Sequence, residues 1–348
     1  MTQGSLVDLK VAARLASRFA AAGPLDRSYL LDDLDGHLDE LVKEAEPLVS
    51  QETGFNVPRP AVARSLTRRE WAEANVESMA SLMRPLLEKV ESGIGENPAA
   101  GMIRFAYRPM LGAQLGAVLG FLSQRVLGQF DLLAATKDEV WFVGPNLVLM
   151  EKRFGFIPRD FRLWVVLHEL THRAQFEGNP WLRQYFLDSV HRFLGEMDLD
   201  VGSLVQRLSE AVRSGDGLPL GVRLLKPEQR RQFDALQALM SLVEGHGNFV
   251  MDRISDDLIP TAPRMRRALR EGGLSASPFA KLIGKILGLE MKKRQYEEGQ
   301  IFCSAVFEQG GRQALQLAFS SPEMLPTLEE IRNPETWISR SLTRAAEG

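Results

Sequence analysis

The chain has 348 residues, 45% of them hydrophobic, enough for one large hydrophobic core or two to three modest ones. Lys plus Arg total 42 against 45 Asp plus Glu, and the net charge of −3 gives no electrostatic reason to expect nucleic acid or an anionic membrane as partner. A single cysteine, Cys303, excludes an intrachain disulfide and a thiolate-rich metal site, so any metal must be held by His and carboxylate.

The N-terminal stretch carries Asp8, Lys10 and Arg14 among its apolar positions. It lacks the continuous apolar core of a signal peptide, so a soluble cytoplasmic protein is expected. Leu6, Leu9, Val11, Leu15 and Phe19 form a helical stripe that residues 21–24 end. A second, acidic helix pattern runs over 28–49 with Leu34, Leu38 and Leu41 on one side, and His37 among its carboxylates reads as a solvated surface residue. Residues 51–60 carry Gly54, Pro58 and Pro60 and form a connector, after which Thr67 and Glu70 start a helix extending to about Val90. Residues 91–99 are a second linker and divide an N-terminal helical region, 1–95, from a catalytic region, 96–348.

Residues 111–127, LGAQLGAVLGFLSQRVL, raise the question of a membrane span, but Gln114, Gln124 and Arg125 shorten the apolar run below the roughly 20 residues needed. Gly112, Gly116 and Gly120 recur every fourth residue and leave one face smooth for close approach of another helix. A buried core helix, and no membrane, is the expectation. Residues 139–143 are the clearest strand candidate, and Gly144 with Pro145 starts a helix to about Phe154. Asp160 is placed to cap the next helix, 161–176, which is apolar all round over 163–167 and therefore buried. Gly178 ends it, and Asn179-Pro180 begins another that runs to about Leu194.

Residues 195–221 read as loop or short helix. Residues 227–254 are strongly periodic, with Phe233, Leu236, Met240, Val243, Val250 and Ile254 in one stripe and Glu244 at its border. Residues 261–277 are basic, but Arg264, Arg266, Arg267 and Arg270 lack interleaved aromatics and point to a solvated helix face rather than to nucleic acid. Two helices, about 279–310 and 312–319, precede a Pro/Glu-rich tail. The fold class is mainly α with at most a small β element.

The stretch 165–176, VVLHELTHRAQF, sets His168 and His172 four residues apart, one turn along one helix face, so both imidazoles can converge on one ion. Glu169 lies about 100° round the helix, close enough to reach a water beside that ion but poorly placed to be a ligand with both histidines. This H-E-x-x-H pattern predicts a Zn2+ hydrolase: three protein ligands, one open position, and Glu169 as general base. The third ligand is open. The metzincin extension fails, because Gly178 occupies the third histidine position and Gln175 that of the glycine. The candidates are Glu196, with Asp200 in an E-x-x-x-D that suits a thermolysin-like enzyme, together with His191, Glu244 and His246. Glu244 is favoured because it lies in an apolar helix, where a carboxylate is costly unless paired, hydrogen-bonded or metal-bound. Asn248, one turn on, is a candidate partner for a ligand histidine, and Gly245 and Gly247 are placed to distort the helix and swing His246 in.

The segments LGAVLGFLSQRVLGQFDL, VGPNLVLMEKRFG, LHELTHRAQFEGNPWL, LMSLVEGHGNFVMD and SPEMLPTLEEIRNPETWI, among others, resemble the type 2 zincin-like metallopeptidases, a bacterial family also labelled as associated with deazaflavin-cofactor biosynthesis. The resemblance implies a mostly helical zincin-like fold, a metal held by His168, His172 and Glu244, and Glu169 as base. Asn248 departs from the aspartate of thermolysin-like enzymes. Residues 292–296 also resemble the family and make Arg294 and Tyr296 candidates to stabilise an oxyanion, against a plain surface helix. The expected function is hydrolysis of an amide or peptide bond in a peptide or small-molecule substrate. A noncatalytic metal-stabilised scaffold or binding protein with a zincin core is the alternative.

Overall fold

A three-stranded sheet is the β structure found among the described residues, and helices enclose it. The computed structural model describes residues 7–20, 23, 25–26, 28–94, 98–130, 132–133, 138–196, 225–271 and 293–347, apart from the side chains at 93–94, 98–104, 270–271, 293–296 and 342–347. The strands are β1 (Val62–Leu66), β2 (Gly128–Phe130) and β3 (Glu139–Val143), in the order β1-β3-β2. β3 is central because Val140, Trp141, Phe142 and Val143 are all buried. It pairs parallel with β1, Val62 opposite Glu139 through Leu66 opposite Val143, and antiparallel with β2, Gly128 opposite Phe142. The short β2 is thus an edge strand.

In chain order the helices are α1 (Leu9–Phe19), α2 (Leu34–Thr53), α3 (Arg68–Leu82), α4 (Arg84–Ile94), α5 (Pro98–Ser123), α6 (Gly144–Phe154), α7 (Pro158–Glu177), α8 (Pro180–Glu196), α9 (Pro227–Leu258), α10 (Ala262–Glu271), α11 (Lys293–Leu317), α12 (Leu328–Arg332) and α13 (Pro334–Glu347). This is the mainly α class with a small β element that the sequence predicts. The principal helix pairings are α1 on α5, α2 on α7 and α9 on α11, and their buried side chains form one hydrophobic cluster from Val7 to Ile338.

The glycine-stepped face of α5 does what its spacing predicts. A Cβ at Gly112 would meet the Asp8 carbonyl, and one at Gly120 would meet Phe19 Cβ, so α1 lies directly on the α5 backbone. Leu115, Leu119 and Leu122 are buried, and among the described residues no helix is long and apolar enough to cross a membrane.

Several boundaries differ from expectation, each for a local reason. The helix foreseen from Thr67 to Val90 breaks at Met83, between α3 and α4, because Pro85 cannot donate to the preceding turn and disfavours helical backbone at Arg84. Helix α7 begins at Pro158 rather than 161, with proline at its first position, and Asp160 instead accepts from Thr261 Oγ1 at 2.6 Å. His37 is half-buried rather than solvated, its Nδ1 2.8 Å from an Arg162 nitrogen, and burial together with the Arg162 charge lowers its pKa. The C-terminal tail is helical: Thr327 and Glu330 close a capping box on α12, and Trp337 of α13 is buried against Phe302 with its indole N–H on the Met324 carbonyl. Of the basic cluster, Arg266 is held by Asp252 and Asp256, and Arg264 donates to the Phe154 carbonyl, so these two guanidiniums are engaged within the fold.

Helices α9 and α11 cross through Gly245 and Gly299. A Cβ on Gly299 would fall on the Ser241 carbonyl, and one on Gly245 on the backbone of Gly299. Gly299→Ala is therefore expected to push the helices apart and to destabilise the protein by about 1–3 kcal/mol or more, read as a lowered unfolding midpoint. An unchanged midpoint would show that the crossing has slack.

Candidate metal centre

The site is made where α7 faces α9. His168 and His172 share one side of α7, their Nε2 atoms 3.1 Å apart and their rings edge to face at 79°. From α9, Glu244 brings Oε1 to 3.8 Å from His172 Nε2 and Oε2 to 4.0 Å from His168 Nε2. Four ligands at zinc–donor distances of about 2.0–2.1 Å on a tetrahedron lie roughly 3.3 Å from one another. The observed separations bracket that value, and a set of two imidazoles and one carboxylate suits zinc. Among the described residues, these three form the cluster whose donor atoms all lie within 4.8 Å of one another. The structure thus brings together His168, His172 and Glu244.

Helix α9 runs without interruption through Gly245 and Gly247, so His246 is not swung toward the three-donor cluster. Its Nδ1 faces Gln175 at 2.9 Å, and its ring packs against Phe319 and Phe55. The glycines serve packing instead. A side chain at Gly247 would begin 3.2 Å from His172 Cε1 and 3.6 Å from His168 Cε1, crowding both imidazoles. Glu196 is exposed at the end of α8, its carbonyl accepting from Gln229, and His191 lies elsewhere on α8; neither joins the cluster. Asn248 makes no described hydrogen bond to either histidine. Asp200 lies outside the described residues, as do the side chains of Arg294 and Tyr296.

Glu169 is buried beneath the edge strand. Its Oε2 accepts the Phe130 backbone N–H at 3.0 Å, and a Cβ on Gly128 would press against its Cγ, so glycine is required there for the strand to lie over the carboxylate. Burial pushes the Glu169 pKa up to about 7, reinforced by Glu244 and opposed by His172 and the Phe130 hydrogen bond. Burial, then the neighbouring His172, holds His168 well below the usual imidazole range and brings His246 to about 3. His168 is therefore neutral, as a metal ligand must be.

A folded-state pKa raised from 4.5 to about 7 gives stability that is fully present below pH 4.5 and lost as pH rises through 7. With metal removed, Glu169→Gln is expected to match the wild type below pH 4.5 and to exceed it by ~3 kcal/mol above pH 7. Denaturant titrations across that range measure the gap; a pH-independent difference would contradict the buried carboxylate.

Two contributors escaped the sequence reading. Gln175 is fully buried beside His172, and its spacing of three residues from His172 is the signal that places it on the histidine face. The cover that β2 gives Glu169 had no sequence signal, since three residues, Gly128 to Phe130, show no alternation to read.

Residues 7–338 match the family described as zincin-like metallopeptidase. The chain belongs to the zincin-like metallopeptidase family. It is also similar to a crystal structure of "a putative hydrolase with a novel fold" from Chloroflexus aurantiacus, at 32% identity and a TM-score of 0.73, over 96% of this chain and 98% of that one. No curated protein matches. Membership of the zincin-like metallopeptidases implies a metal, and the α7–α9 cluster is a donor set of suitable chemistry for it.

Proposed function

We propose that the protein is a zinc-dependent hydrolase of amide or peptide bonds, with His168, His172 and Glu244 as ligands and Glu169 as general base. The observation that carries this reading is the convergence of three donors from two helices beside a buried carboxylate whose pKa is about 7. Bound zinc would supply Lewis-acid polarisation of the scissile carbonyl and acidify water. Glu169 takes the proton of the attacking water and passes it to the leaving nitrogen. A buried carboxylate is suited to both transfers, because burial makes it a stronger base than a solvated one and, once protonated, it is still acidic enough to return the proton.

Phe130, Leu132, Phe176 and Val243 line a small cavity with Glu169 and His172. The family and the hydrolase neighbour support hydrolysis; the peptide substrate is the narrower part of the proposal.

The alternative of a noncatalytic metal-stabilised scaffold draws on the size of that cavity, about 20 Å³, which is room for a water but not for an amide without movement of β2. One experiment separates the two readings. The purified protein is expected to carry about one zinc per chain and to cleave members of a peptide library followed by mass spectrometry, with cleavage lost to a chelator and restored by zinc. Bound zinc without any cleavage would favour the scaffold, and no bound metal would remove both.

A further inference from the structure

We infer that Gln175 is a positioning residue that sets the proton of His172 and fastens the two ligand-bearing helices to each other. The inference rests on the reading of His172 and Glu244 as metal ligands. Gln175 lies 2.9 Å from each of three partners: Oε1 from His172 Nδ1, and Nε2 from both the Val243 carbonyl oxygen and His246 Nδ1.

The Val243 carbonyl decides the rest. A carbonyl oxygen only accepts, so the end of the amide facing it must be the NH2 group. Turning the amide over would set two oxygens against each other in the protein interior. With the amide so fixed, its oxygen faces His172, and the contact is attractive only if His172 Nδ1 carries a proton. A neutral imidazole protonated at Nδ1 has its lone pair at Nε2. That is the His172 atom turned toward His168 Nε2 and Glu244. The remaining amide hydrogen points at His246 Nδ1, which must accept, so the proton of His246 is on Nε2.

Two of the three bonds, to the Val243 carbonyl and to His246, link α7 to α9. Val243 precedes Glu244 by one residue and His246 follows it by two, so Gln175 grips α9 on both sides of the carboxylate. The grip is itself held, because the His246 ring packs against Phe319 and Phe55 at centroid distances of 4.9 and 5.9 Å. Leu or Met would fill the volume of a buried glutamine without needing three partners. What only the amide supplies is one acceptor and two donors directed at the groups that border the metal ligands.

The test reads the His172 tautomer and the zinc affinity separately. Long-range proton–nitrogen NMR of the zinc-free wild type, with His172 assigned by His172→Gln, should find the proton on Nδ1; a proton on Nε2 overturns the inference whether or not the protein binds zinc. Gln175→Leu should shift the tautomer and weaken zinc binding by about 10–100-fold in competition with a chelating dye. Gln175→Glu keeps an acceptor opposite His172 and should retain the Nδ1–H form, while the oxygen it sets against the Val243 carbonyl loosens the link to α9 and lowers the unfolding midpoint. An unchanged tautomer and unchanged zinc affinity in folded Gln175→Leu would sink the proposal. If that variant does not fold, the wild-type and Gln175→Glu spectra decide. A wild type that takes up no zinc would remove the metal reading while leaving the tautomer to judge Gln175.

Discussion

Glu169→Gln is expected to retain zinc at wild-type stoichiometry and to lose turnover by about 10²–10⁴-fold, the range of a positioned general base. Retention follows from geometry. Glu169 lies about 100° round α7 from His168, and its carboxylate is directed at the Phe130 N–H rather than into the three-donor cluster. The amide oxygen of glutamine can still accept that hydrogen bond, so the edge strand keeps its place. What disappears is a group able to accept a proton. Metal analysis and peptide-cleavage rates on the same sample make the test. Full turnover with intact metal would remove Glu169 from the chemistry, and metal loss would make it a ligand. Zinc beside Glu169 would favour its ionised form, so the wild-type rate should fall with acidification at a pH below the metal-free pKa of about 7, and this limb should be absent from residual activity in the variant.

Glu244→Gln is expected to have its main effect on metal affinity. Roughly 10–16 kcal/mol of zinc binding shared among about four ligands gives on the order of 3 kcal/mol for one, or about a 100-fold loss, and more for a ligand that carries charge. The substitution preserves shape at a site that is 1% exposed, so packing of α9 against α7 should survive. Glu196→Gln is the control: that residue is exposed at the end of α8 and should leave affinity unchanged. Competition with a chelating dye measures both. An unaltered affinity in Glu244→Gln would return the third ligand to the open question it is in sequence.

Much of the fold follows from local chemistry. The glycine step of α5, the capping pair Thr67 and Glu70, and the apolar run of β3 each state their structure in a few residues, and each forms where expected. The failures are also local. Pro85 carried a signal for the break at Met83 that the longer hydrophobic periodicity outweighed, and Pro158 carried one for the helix start after Ile157 that Asp160, read as the cap, displaced. Trp337 on the last helix carried none, because its ring partner, Phe302, lies about 35 residues away in sequence.

By itself the sequence determined that one helix presents His168 and His172 on a single face with Glu169 beside them, because helical geometry is set by spacing alone. It also determined that no thiolate joins them, Cys303 being the one cysteine. Only the tertiary structure decided which part of α9 meets that face. Glu244 and His246 lie about 200° apart round their helix, so one rotation of α9 admits one and excludes the other. The crossing with α11 at Gly245 and Gly299, together with the grip of Gln175 on Val243 and His246, sets that rotation. Such contacts join residues 54 or more positions apart, beyond the reach of any local pattern.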